Sequence, residues 1–507
     1  MLTSLTRIGL VILLLASCGK GSSNKNAKKD AGLTAPVATP IALPTLGVDK
    51  IAKFNFIYDG AAVAYFKSAK DALKKSDWAE VRKQCEAALS KNPDHLDAHR
   101  LLAIALAQQG EHAAAVDHLV AAIAGDYYGY GPTVADEAQL KDFLATQHGQ
   151  AVTQLAAQIH DEYTKRIKSS LWLVARRSPF RWPDKPGAQP GTSRGELYAF
   201  DRESKRYFRL THTDHQVAGF VRSKGAEVAV LGYDKIDHPK DDAPSQVARA
   251  WVQAYDTTEW KSATPKITLP SARVVAVWYG EGDQLLVGTA PSTGRWTLGE
   301  WTISSVDKTT GKLTKVGASL GAPRIELTLD EGRVVLPANP EGVTATWAGD
   351  PPRASELDVG GTKIAVPESG QANHDTIALS PGGASLAFAT AVDPCAKDTA
   401  PSLYIANAKT GALKHVLTAK SRFITAWLDP ATLAYEDGDG AIRLWDATSG
   451  REAMKLENKA GLALDVLSLA PAPLCKQEPP TAEQAGSGGD EMPPEETGSG
   501  GPVTQPQ

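Results

Sequence analysis

Cysteine and methionine are scarce: four and three residues in a chain of 507. With so few cysteines, neither a disulfide-dense scaffold nor a cysteine-rich metal cluster can organise the molecule. Charge of one sign is also missing. Lys and Arg total 54 against 58 Asp and Glu, a formal net charge of −4. No broad cationic surface exists to neutralise a phosphate backbone, so nucleic acid is not expected as a partner. Long apolar runs are absent apart from Ile8 to Ala16, far short of the ~20 residues that span a bilayer. Walker-type and dinucleotide glycine loops are lacking too. Hydrophobic content is 42% and charged content 22%, an ordinary globular composition, and the length calls for more than one folded unit.

The short apolar run follows Arg7 and ends in Leu15-Ala16-Ser17-Cys18. This resembles a signal peptide (residues 1–17) closing in a bacterial lipobox. The resemblance implies cleavage before Cys18, a diacylglycerol on its thiol and anchorage in the cell envelope. Gly19 after the cysteine resembles the pattern that sends lipoproteins to the outer membrane, facing the periplasm, rather than retaining them in the inner one. Residues 18–48, rich in Lys, Ser, Ala and Pro, read as an extended tether. Residues 476–507 carry six acidic side chains and one lysine among Pro, Gly and Ser, and read as a disordered tail. In an exported compartment Cys395 and Cys475, both in Pro-flanked loops, form the candidate disulfide. Cys85 falls inside a helical pattern as a small core residue.

Between residues 62 and 129 the chain repeats itself. Tyr65 and His99, Ala69 and Ala103, and Ala88 and Ala122 are each 34 residues apart. The spacing and the alternation of large and small positions resemble the tetratricopeptide repeat, in units 62–95 and 96–129. Tyr127 stands where the second unit would end in proline. Residues 133–166 carry apolar positions of two helices broken near Gly149, a capping hairpin that completes a helical domain over 50–166. By the resemblance, the groove of such a domain is lined by Phe66, Lys70, Leu73, Asp97, Arg100 and Ile104, where apolar anchors and carboxylates of a peptide would seat.

From about Leu171 the period switches to two. A strand, tight turn and second strand recur at Leu197, Trp251, Trp301, Leu403 and Ile442, with a weaker unit over residues 324–349. The ending "LWDATSG" and the hairpin "LSPGGASLAF" resemble β-propeller blades of the WD and TolB types. The fold class expected is therefore multidomain: N-terminal all-α repeats, then an all-β propeller over 170–475. It would have six blades, closed by strand exchange in which residues 462–470 complete the first blade.

Chemistry is weakly marked. Gly191 to Gly195, around Ser193, and Gly317 to Gly321, around Ser319, match G-x-S-x-G but lack the strand-to-helix context of a nucleophile elbow. His95 and His99 are four apart, yet their repeat positions account for them. Asp237 and His238, in an acidic loop, are weak candidates for a cation, and "EDGDG" reads as a hairpin turn. The reading that follows is a non-catalytic, lipid-anchored scaffold for another envelope protein or peptide, with no cofactor beyond the diacylglycerol. The alternative is a small-ligand or cation receptor, or an enzyme, with its site in the propeller channel near Asp237, His238 and Asp375.

Overall fold

The computed structural model describes residues 50–52, 60–168, 170–176, 195–237, 246–291, 293, 299–318, 324–328, 333–335, 343–348, 353–367, 370–373, 376–380, 382–391, 400–418, 424–436, 442–456 and 464–465. Cys18, Ser193, His238, Ser319, Asp375, Cys395 and Cys475 lie outside them, as do the tether and the acidic tail.

Two helical hairpins come first: α1 (Gly60–Leu73) with α2 (Trp78–Lys91), and α3 (Leu96–Gln108) with α4 (His112–Gly125). Helices α2 and α4 begin and end 34 residues apart. Their connecting turns also correspond, since Ser76 and Gly110 both take positive φ, 54° and 81°. Alanines set the spacing between helices. Ala62 and Ala69 of α1 and Ala103 of α3 are fully buried, and Val81, Cys85 and Leu119 fill the space they leave.

After α4 the chain does not leave straight. Asp126 accepts from the backbone N–H of Gly129 at 3.1 Å and starts a short helix, α5 (Tyr127–Tyr130). Turns at Val134–Asp136 and Ala138–Leu140 and the short α6 (Lys141–Leu144) then lead to α7 (Gln147–Ile167). The expected break near Gly149 therefore lies earlier. Thr146 caps α7 through the N–H of Gly149 at 3.2 Å. Gly149 is needed for close approach instead, because a Cβ there would meet the backbone of Phe143 and Leu144 at 2.3 Å.

The remainder is antiparallel sheet. A nine-stranded sheet has two parts joined by a single pair, Gly195 with Val217. The first part holds Leu171–Arg176, Gly195–Asp201 and Arg206–Arg209; the second holds Val217–Arg222, Glu227–Asp237, Gln246–Asp256 and two short outer strands. Next come Val274–Tyr279, Leu285–Ala290, Thr302–Val306 and Leu313–Lys315 in one sheet. A three-stranded sheet contains Glu356–Val359 and Thr362–Ala365, and another is built on Ser385–Ala391, Ser402–Asn407 and Leu413–Thr418. The last comprises Ile424–Trp427, Thr432–Glu436, Ile442–Asp446 and Arg451–Leu456.

Apolar clusters join neighbours face to face. Leu231 and Val252 pack with Val275 and Val287, Leu357 and Ile364 with Leu386 and Phe388, and Leu403 and Ile405 with Leu433 and Trp445. The two ends also meet. Tyr198 and Phe200 share a cluster with Ile442, Leu444 and Leu456, and Arg202 pairs with Asp429. Leu464–Asp465 pairs with the edge of Leu171–Arg176 that faces away from Gly195–Asp201, opposite Val174 and Ala175. Radially packed antiparallel sheets whose first and last members touch have the arrangement of a β-propeller.

The weaker unit expected over 324–349 is placed differently. Arg324–Thr328 pairs with Val274–Tyr279, and the turn-bearing hairpin of this region is Glu356–Val359 with Thr362–Ala365. One turn recurs along the sheets. Asp201, Asp256, Asp307, Asp358, Asn407 and Asp446 each accept backbone N–H bonds from two or three residues on, for example 2.7 Å from Gly361 to Asp358 and 2.8 Å from Thr448 to Asp446. Asp429 makes it too, accepting from the N–H groups of Ala431 and Thr432 at 2.8 and 2.7 Å.

Candidate interaction site

Helix α1 touches the rest of the protein through a narrow stripe. Ala62, Ala69 and Ala72 are buried, while Val63 is 48% and Tyr65 38% exposed. Among the described residues these are two of three large hydrophobics left exposed, the third being Leu413. Val63, Lys67, Lys70 and Lys74 follow one another at four, three and four positions, so they form a single stripe flanking the buried one. Phe66 lies between the two stripes. It is half-buried, its ring 4.7 Å from that of His95, and the Lys70 ammonium stands 5.2 Å over its other side. Leu73, also half-buried, continues the line toward the core. Lys74 pairs with Asp71 at 2.8 Å, an exposed contact of little energetic weight.

The other three residues expected in a groove are taken up by the chain itself. Ile104 is 1% exposed. Arg100 pairs with Glu137, and Asp97 accepts from the Tyr130 hydroxyl at 2.9 Å. Gln108 donates to the carbonyl of Gln139. The segment between α4 and α7 thus folds back over this part of α3, because Asp126 and Tyr127 turn the chain at the point where a proline would have released it. Phe66, Lys70 and Leu73 remain, joined by Val63, while the exposed Tyr65 lies on the opposite flank of α1.

Beneath Phe66 sits a cluster of imidazoles. His95 is the N-cap of α3, and its Nδ1 accepts from the N–H of Ala98 at 3.3 Å. His99, one turn on, places Nε2 2.9 Å from the carbonyl of Pro93 and Nδ1 2.9 Å from Nδ1 of His118 on α4. Burial pushes the pKa of His95 and of His118 down, and His99 beside each adds to this. Nδ1 of His95 and both ring nitrogens of His99 are therefore directed at protein groups. Cys85, on α2, is fully buried, and burial pushes its thiol up to about 12.

The helices are fixed to the first sheet by a second polar network. His212 donates through Nε2 to the buried carboxylate of Asp126 at 2.8 Å. Glu196, wholly buried, accepts from the Thr211 hydroxyl at 2.6 Å, from the N–H groups of Thr213 and His215 at 2.8 and 2.9 Å, and from Arg209 at 3.1 Å. Arg166 of α7 reaches Asp201 at 2.9 Å. Around these groups one apolar cluster runs without interruption from Leu119, Ile159 and Tyr163 into Phe208, Trp251 and Trp260. Tyr163 meets the Phe208 ring edge-on at 4.9 Å and donates its hydroxyl to the Ala124 carbonyl at 2.9 Å. The α1 face is consequently displayed on a rigid support.

Asp237 ends the strand Glu227–Asp237, with its side chain outside the described set.

No protein-family model matches the chain, and no curated protein matches it. Solved structures that it resembles include the tricorn protease, at 13% identity and a TM-score of 0.31 over 57% of this chain and 27% of that one. Pyrococcus horikoshii acylaminoacyl peptidase matches at 13% identity and 0.29 over 56% of this chain and 44% of its own. The β-propeller domain of the Trilobed protease from Pyrococcus furiosus matches at 12% and 0.28 over 56% and 79%. Less than half of either of the first two chains is spanned, and no activity carries over from them. An N-terminal helical region followed by a β-propeller is the architecture that the sheet contacts describe.

Proposed function

We propose that this chain is a lipid-anchored scaffold of the bacterial cell envelope, which holds another envelope protein or peptide without catalysing a reaction on it. In this reading residues 1–17 are a signal peptide, Cys18 carries the diacylglycerol, and the anchor faces the periplasm from the outer membrane. The helical hairpins are tetratricopeptide-type units, a reading supported by the 34-residue correspondence of α2 with α4 and of the turns at Ser76 and Gly110. The sheets are six blades closed by strand exchange, supported by the Asx turns at Asp201, Asp256, Asp307, Asp358, Asn407 and Asp446, which recur from one group of strands to the next, and by the pairing of Leu464–Asp465 with Val174 and Ala175.

The observation that carries the functional reading is the outward face of α1. Val63 and Phe66 offer apolar contact beside Lys67 and Lys70, on a helix whose inner face is only alanine-wide. Apolar anchors ringed by cations fit an amphipathic segment bearing carboxylates. Exchange of Val63→Ser together with Lys70→Glu, both at exposed positions, should leave the melting temperature unchanged. Crosslinked capture of the partner from intact cells should fall at least tenfold, about 1.4 kcal/mol. Undiminished capture by the doubly substituted chain would refute this role for α1.

A further inference from the structure

We propose that the first turn of α3 is an acid-sensitive latch beneath the α1 face, closed only while His95 is neutral and His99 and His118 together carry at most one added proton. This rests on the α1 reading only for its consequence, the release of a partner. The latch itself follows from hydrogen-bond geometry.

His95 is an N-cap, and an N-cap must offer a lone pair. Its Nδ1 accepts from the N–H of Ala98, so the proton of the neutral ring belongs on Nε2. The imidazolium carries hydrogen on both nitrogens and would confront one N–H with another. It would also place a positive charge at the positive end of the helix dipole. Protonation of His95 therefore removes the cap.

His99 and His118 impose a second limit. Pro93 offers only a carbonyl oxygen, so Nε2 of His99 bears hydrogen. The 2.9 Å contact between the two Nδ1 atoms needs one hydrogen and one lone pair. A single added proton can be accommodated, on Nε2 of His118 for instance. Two cannot, because both Nδ1 atoms would then carry hydrogen and the rings would repel.

Charged groups around the cluster pull the other way. Asp97 on α3 favours a charged His95, and Glu86 on α2 and Asp117 on α4 favour a charged His118. Lys70 of α1 stands on the far side of the Phe66 ring. Burial outweighs the carboxylates, and the pKa values of His95 and His118 lie below the ordinary 6.5. With the folded values depressed, the unfolded turn binds more protons as pH falls below about 6.5, so its closed form is complete above that pH and is lost below it. Phe66 rests on His95, which makes α1 the element that feels the opening.

Hydrogen exchange on the full chain tests this. Between pH 7.5 and 5.5, after correction for intrinsic exchange, amides 96–101 should lose roughly tenfold protection or more, tenfold per pH unit for each extra proton bound on opening. Strand Val274–Tyr279 should keep its protection. In a chain with His95→Asn, which retains a capping oxygen, and His118→Gln, the loss should disappear. If the double substitution fails to fold, His118→Gln alone should reduce the loss, and the wild-type comparison stands by itself. Equal protection of 96–101 at both pH values, or an equal loss in 274–279, would overturn the latch. The measurement needs no partner, so it stands or falls separately from the α1 reading.

Discussion

Nε2 of His212, on the loop that follows the strand Arg206–Arg209, lies 2.8 Å from Oδ2 of Asp126, the residue that ends α4 and caps α5. One residue thus closes α4 through its backbone N–H, while its carboxylate starts α5 and joins the helical region to the first sheet. A helical domain tethered by a loose linker would have no use for such a group.

Burial alone would raise the carboxyl pKa of Asp126. The charge and hydrogen bond of His212, with Arg209 and the Gly129 N–H, outweigh burial and hold it below the usual 3.8. A depressed carboxylate contributes stability that is complete above the unfolded value and is lost as pH falls through the folded one. Asp126→Asn should therefore cost about 2–4 kcal/mol at neutral pH. The gap in melting temperature from wild type should close as pH is taken from 6 down to about 2. A gap that does not vary with pH would mean that the charge of Asp126 has no part in the junction.

Closure between the chain's two ends depends on Leu464–Asp465 lying against Val174 and Ala175. A chain ending at residue 475 should melt with the full protein. One ending at 458 leaves the strand Leu171–Arg176 with an open edge, and should lose about 1–2 kcal/mol and associate with itself at high concentration. Thermal melting with light scattering separates the two. Identical behaviour of both truncations would contradict closure by this strand.

The Asx turns supply a smaller effect. Asn407 accepts from the N–H groups of Lys409 and Thr410 at 2.9 and 3.0 Å. Asn407→Ala should cost about 1 kcal/mol, while Asn407→Asp, whose carboxylate can accept the same two bonds, should be nearly neutral at pH 7. Chemical denaturation of the three chains checks the order.

Much of this architecture was legible because it repeats. A 34-residue spacing survives substitution of individual side chains, and short, mostly apolar runs such as "LYAF" and "IRLW" announce largely buried strands. The leftover run at 462–470 had no hairpin of its own, and Leu464 and Asp465 are paired with the first sheet. The hairpin around Asp358 is poorly marked in the sequence, because "ELDVGGTKIA" has no aromatic residue, although its Asp and two glycines at positive φ make the same turn. Gly149 suggested a break because glycine is a poor helix former, whereas close packing against Phe143 and Leu144 demands it. The occupation of Asp97 and Arg100 by Tyr130 and Glu137 is a contact across 33 and 37 residues. The His99 and His118 pair likewise joins two helices, and no local period records such meetings.

The most direct test of the scaffold reading is photocrosslinking in living cells, with a photoreactive residue at position 63 on α1 or at position 413 in the sheets, both exposed. A discrete crosslinked partner from 63, absent from 413 and abolished by Lys70→Glu, is the predicted result. A partner recovered from position 413 alone would move recognition to the propeller and contradict the assignment to α1.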